Sequence, residues 1–154
     1  MLRRNWMAGF LGGFVLLAGL GAPLVAQARN GSPLGLWRTI DDKTNKPRAL
    51  VRITERNGML YGTVTAVLDP IYADKHCVDC AGDRAGKPVV GLEIIRDLKP
   101  DGARWDGGTI LNPEDGSVYH CRIHVGPDGE TLIVRGFIGI AMMGRSQMWQ
   151  RMPE

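Results

Sequence analysis

The familiar signatures of catalysis are missing from this chain. It holds no Gly-x-Ser-x-Gly elbow, no His-Glu-x-x-His pair and no phosphate-binding glycine loop, and no Ser, His and Asp stand at a spacing that marks a triad. Its aspartates, among them Asp41, Asp42, Asp79, Asp83, Asp106 and Asp115, fall mostly where turns are expected, and turns favour aspartate for backbone reasons. The sequence therefore reads as non-catalytic. Charge of one sign is lacking too. Once Arg3 and Arg4 are set aside, 17 basic groups (19 less two) face 16 acidic ones, so nothing drives nucleic-acid binding. No linker, low-complexity tract or internal repeat divides the sequence, and no stretch has the period of an amphipathic helix.

One long apolar run is present, at the start. Arg3 and Arg4 precede it, Met7 to Val25 are apolar apart from five glycines and Pro23, and Ala26-Gln27-Ala28 has the small-x-small form of a cleavage site. Residues 1–28 are read as a secretory signal peptide and 29–154 as one domain, long enough at 126 residues to bury a core. A membrane span is the competing reading for so long a run. The glycines, the proline and the Ala-x-Ala end favour cleavage, with no membrane span left afterwards. No cysteine follows the run, which argues against a lipoprotein anchor. The expected address is the periplasm or the exterior.

The rest of the sequence alternates with period two between turn signals. Val51 and Ile53 fall on one face and Arg52 and Thr54 on the other, the pattern of a half-buried strand. Asn57-Gly58 joins 48–56 to 59–68 as a tight hairpin. Further strands are expected at 36–40, 89–98, 104–111, 117–125, 131–140 and 145–152, about eight in all. Short turns join most of them, and the long connection, 69–88, carries Cys77 and Cys80. Such a meander closes into an antiparallel up-and-down barrel, which removes its edges; a sandwich is the alternative.

Two end motifs favour the barrel. Gly35-Leu36-Trp37 opens the first strand and Trp149-Gln150-Arg151 lies in the last. They resemble the lipocalin and calycin pattern, in which a Gly-x-Trp tryptophan closes the barrel floor beneath a basic residue from the final strand. That resemblance gives Gly35, Trp37, Trp149 and Arg151 a role in barrel closure. A broader resemblance rests on Gly-Leu-Trp-Arg-Thr-Ile-Asp-Asp (35–42), Cys-Val-Asp-Cys (77–80), Pro-Val-Val-Gly (88–91), Trp-Asp-Gly-Gly (105–108), Asn-Pro-Glu-Asp-Gly (112–116), Arg-Gly-Phe-Ile-Gly (135–139) and Gly-Arg-Ser-Gln-Met-Trp-Gln-Arg (144–151). As a set these are similar to the exported bacterial domain-of-unknown-function family numbered 2147. That family implies a small secreted lipocalin-like β-barrel and lends no activity.

Three readings compete for Cys77 and Cys80. A disulfide would staple the long loop; a metal site would use His76, Cys77, Cys80 and Cys121, with zinc as the ion; a redox pair would cycle between thiols and disulfide. The redox reading lacks the helix N-terminus that lowers a thiol pKa, and Ala81 stands where a c-type haem needs histidine. On the strand 117–125, Cys121 shares a face with Tyr119, Ile123 and Val125, opposite His120 and His124, so these three cannot ligate one ion from a regular strand. His120 and His124 alone stand at a chelating spacing, though solvated strand histidines are commoner. The disulfide leads, Cys121 reads as a buried free thiol, and no cofactor is expected.

An eight-stranded barrel is just wide enough to be filled by side chains or to hold one small ligand. Arg145, Gln147, Trp149 and Arg151 share a face of the last strand, and Glu93 and Arg135 sit among apolar neighbours. Glu93, Arg135, Arg145 and Gln147 form the candidate ligand-binding cluster, fixing the head group of a small, largely apolar ligand. The alternative is that all four lie on solvated faces. The sequence thus predicts an exported small-molecule binder, with an envelope scaffold or a metal- or redox-handling protein centred on Cys77, Cys80 and Cys121 as alternatives.

Overall fold

A computed structural model describes residues 31–154; the expected signal peptide, 1–28, lies outside the described residues. The alternation becomes eight strands: β1 (Gly35–Ile40), β2 (Pro47–Arg56), β3 (Met59–Val67), β4 (Glu93–Asp101), β5 (Arg104–Leu111), β6 (Val118–Val125), β7 (Thr131–Phe137) and β8 (Gly144–Met152). Each pairs antiparallel with the next. β8 pairs back onto β1 through Leu36–Met152, Trp37–Arg151 and Arg38–Gln150, which closes the barrel and leaves no edge. No described helix is long and apolar enough to cross a membrane.

The hairpin between β2 and β3 shows why the chain turns where it does. Asn57 and Gly58 both take positive φ, 54° and 75°, as a two-residue turn matched to strand twist requires. Alternation then sends Trp37, Val51, Ile53, Leu60, Val64, Ile123, Leu132, Val134 and Trp149 inward to form the core. Burying each such side chain contributes about 1.5–3 kcal/mol relative to exposure.

Two strands depart from their expected limits. β4 begins at Glu93, not Val89, because Val89 to Gly91 turn back onto β3: Gly91 N–H donates to Val64 O at 2.7 Å, and Val64 N–H to Leu92 O at 2.9 Å. β4 also runs through Lys99 and Pro100 to Asp101, where a turn was expected. β7 ends at Phe137; Gly139, at φ +70°, and a 3₁₀ turn at Ala141–Met143 carry the chain over to β8.

The two ends of the barrel differ. At one, Arg151 lies over the Trp37 ring, 4.2 Å from its centroid. Arg151 Nε donates to Gly129 O at 2.7 Å, and its terminal nitrogens donate to Leu34 O at 3.1 Å and Ser32 O at 2.7 Å. Trp37 Nε1 donates to Pro33 O at 2.7 Å. Gly35 beside them takes φ +118°, which a side chain resists, and Trp149 is buried above this floor. The other end is ringed by the connections β1–β2, β3–β4, β5–β6 and β7–β8, and it is open.

Candidate functional site

The open end leads into a cavity of about 470 Å³, within the range of small-molecule sites, about 300–1,000 Å³. Its wall is mainly aliphatic: Val51 from β2, Val64 from β3, Ile94 from β4, Ile110 from β5 and Val134 from β7, with Trp149 from β8. Gly136 adds space, because it faces the cavity without a side chain between Ile110 and Tyr119. Just below the mouth Gln147 accepts from Trp149 Nε1 at 3.1 Å, and Thr39 Oγ1 accepts from the Ala49 N–H at 3.1 Å.

Polar groups gather at the mouth. Arg48 reaches Asp41 at 3.2 Å and also pairs with Glu114, while Arg145 pairs with Asp42. The Arg48 guanidinium and the Lys75 ammonium each lie 4.6 Å from the centroid of the Tyr72 ring, a cation–π arrangement that keeps both cations at the rim. Asp41 is held in its turn by the N–H groups of Thr44, at 2.8 Å, and Lys43, at 2.9 Å. The Thr44 bond leads in holding its carboxyl below the usual carboxylate range. On the β7–β8 side the rim is apolar, with Ile138, Ile140, Met142 and Met143 exposed.

The β3–β4 connection forms one wall of the mouth. Asp69 starts it by accepting from the Ile71 N–H at 3.0 Å, which fixes the Pro70–Tyr72 turn and so places Tyr72. Cys77 and Cys80 form a disulfide within the loop. Around it Cys77 N–H donates to Lys87 O at 2.8 Å, Gly86 N–H to Cys77 O at 2.8 Å, and Val89 N–H to Lys75 O at 2.9 Å. Lys75 and Val89 both line the cavity.

The four residues expected to bind a head group are not brought together. Arg145 and Gln147 line the cavity. Glu93 lies on the outer surface, where it accepts from Arg56 at 2.7 Å and Arg96 at 2.8 Å. Arg96 in turn grips Asp83, whose carboxyl it holds down to about 2. The start of β4 is irregular: register slips between β3 and β4 bury both Ile94 and Ile95 and leave Glu93 outside. Arg135 is outside for a simpler reason, since Leu132, Val134 and Gly136 take the inward positions of β7. Its guanidinium donates to Ala141 O at 2.6 Å, Met142 O at 3.3 Å and Ser146 Oγ at 2.8 Å, bracing the β7–β8 turn.

Cys121 is a buried free thiol on β6, paired across the sheet with Gly108 and Gly136. Burial, and then the charge of Asp106, push its pKa up to about 12. His76 lies exposed beside the disulfide, and His120 and His124 are exposed on the outer face of β6. Among the described residues no group of three or more His, Cys, Asp and Glu side chains is placed to hold a metal ion.

Sequence reasoning missed Arg48, Tyr72, Lys75 and Glu114. They come from strand ends and loops, where alternation carries no information, and only barrel closure brings them to one rim. The Asp69-Pro70 pair, a turn-initiating signal, was the one clue to Tyr72.

Residues 35–151 match the model of a family described as an uncharacterized protein conserved in bacteria, DUF2147. The chain belongs to this family. A search of the curated proteins finds no match. Among solved structures, protein HP1028 from the human pathogen Helicobacter pylori is similar, with a TM-score of 0.70 at 22% identity over 80% of this chain and 84% of that one. That protein is described as belonging to the lipocalin family. The likeness shows that this DUF2147 domain has a lipocalin-like fold.

Proposed function

We propose that this DUF2147 protein is an exported, non-catalytic binder of a small, largely apolar molecule, taken up through the open end of its barrel. The observation that carries the reading is the cavity itself: about 470 Å³, aliphatic in its depth and open at one end only, while Trp37 and Arg151 seal the other. An eight-stranded barrel need not keep such a space; side chains can fill it. Gly136 and a succession of valines keep it open here. The Cys77–Cys80 disulfide supports export, because such bonds persist in oxidising compartments.

The test is titration of the purified protein with the neutral, environment-sensitive dye N-phenyl-1-naphthylamine, beside a Gly136→Val variant. A Cβ at Gly136 would meet Ile110 at 3.4 Å and Tyr119 at 3.6 Å, which are ordinary contacts, so a side chain can start there without a clash, and its methyls would take up cavity space. Saturable binding of one dye per barrel, weakened in the variant, is the expected result. A wild-type barrel that leaves the dye in water would overturn the reading.

A further inference from the structure

The charged groups lining the cavity are not balanced in sign. Its wall carries three cations, Arg48, Lys75 and Arg145, and one carboxylate, Glu114, which is taken up by Arg48. Asp41 and Asp42, the partners of Arg48 and Arg145 at the mouth, do not themselves line the cavity. Below the cations the wall is mainly apolar, and Tyr119 is its ionisable group. From this arrangement we infer that the ligand is an amphiphile with an anionic head, its chain in the cavity and its head at the rim between Arg145 and Lys75. The inference rests on the small-molecule reading above and specifies which molecules that reading admits.

Three features make the rim suited to an anion. Lys75 faces the Tyr72 ring and pairs with no carboxylate among the described residues, so none of these need be displaced by an arriving anion. Arg145 does have a partner in Asp42, but its side chain is 62% exposed and that of Asp42 32%. An ion pair so open to water is weak, and a head group desolvated by its own chain can take its place. Gln147, next on the inward face of β8, uses its carbonyl oxygen to accept from Trp149, so the group it can offer a ligand is its amide N–H₂, a donor only. A carboxylate or phosphate is an acceptor and fits those donors. A cationic head would meet Arg48, Lys75 and Arg145 and be repelled.

The experiment displaces N-phenyl-1-naphthylamine with three amphiphiles of one chain length: dodecanoate, methyl dodecanoate and dodecyltrimethylammonium. Dodecanoate is expected to displace the dye at about ten-fold lower concentration than the ester, the ratio that one charge-assisted contact of about 1.4 kcal/mol supplies. The cationic amphiphile is expected to be weakest. Lys75→Gln with Arg145→Gln should bring the carboxylate-to-ester ratio close to one. Asp42→Asn removes the competitor of Arg145 and should raise the ratio, a gain that misfolding cannot imitate. Equal potency of acid and ester, or preference for the cation, overturns the anionic head and leaves the small-molecule reading standing. Failure of the dye and all three amphiphiles to bind overturns both.

Discussion

Gly116 lies so close to Asp79 that a Cβ built on it would stand 2.0 Å from the Asp79 carbonyl oxygen. The β5–β6 turn is thereby seated directly on the Cys77–Cys80 loop, and Gly116 also takes φ +70°, which a side chain resists. Asn112 O accepts the Gly116 N–H at 2.9 Å and keeps the turn tight. Gly116→Ala should therefore cost on the order of 2 kcal/mol or more, from backbone strain together with the clash. Chemical denaturation measures the loss. Dye affinity should fall as well, because Asn112 and Glu114 of one loop and Lys75 and Val89 of the other line the same mouth.

Arg151 ties both the β6–β7 turn and the stretch leading into β1 to the barrel floor, and its planar fork is what does so. Arg151→Lys keeps the charge but cannot hold Gly129, Leu34 and Ser32 while lying on Trp37. The expected loss is about 2–3 kcal/mol, from charge-assisted hydrogen bonds and the cation–π contact. Tryptophan fluorescence during unfolding reads it out. A Lys variant as stable as the wild type would contradict this account of the floor.

The Cys77–Cys80 ring is small, so its effect on global stability lies at the low end for disulfides, about 2 kcal/mol. Its local effect should be larger. In a Cys77→Ser, Cys80→Ser double variant, hydrogen exchange at Gly86 and Val89, whose N–H groups are bonded to Cys77 O and Lys75 O, should quicken more than exchange in β6 and β7. Uniform acceleration across the barrel would show instead that the loop unfolds only with the whole.

Cys121 gives stability a dependence on alkaline pH. Burial raises its pKa from 9.0 to about 12, so the folded barrel keeps the thiol neutral while the unfolded chain ionises. Its contribution is complete below pH 9.0 and is lost progressively as pH rises toward about 12. Wild-type stability should therefore fall more steeply across that window than the stability of Cys121→Ala, as followed by denaturation midpoints. In the native state the thiol should also resist alkylation until denaturant is added.

Much of this architecture was written in local pattern. The alternation of Val51, Arg52, Ile53 and Thr54 and the Asn57-Gly58 turn survive into β2 and β3 unchanged, because strand faces and tight turns depend on neighbours in sequence. The same logic placed Arg145 and Gln147 on the inward face of β8, a regular strand with Trp149 as its marker. It failed at Glu93, where apolar neighbours on both sides suggested burial. A register slip there turns two successive isoleucines inward, and nothing in the local pattern announces a slip. It failed at Arg135 as well, since flanking apolar residues do not say which face is which. The rim was illegible for another reason. Arg48, Lys75 and Arg145 are far apart in sequence, and only the closed sheet brings them to one mouth.

Closure of the sheet by β8 also sets the order in which this protein can come into being. One strand supplies Arg145 to the rim, Gln147 and Trp149 to the wall and Arg151 to the floor. It is the last of these eight strands to leave the ribosome. Seven strands synthesised without it form an open sheet with two bare margins and no binding chamber, so a chain cut short before β8 loses entrance, wall and base together. Until Arg151 reaches Trp37, the polypeptide has neither an inside nor an outside.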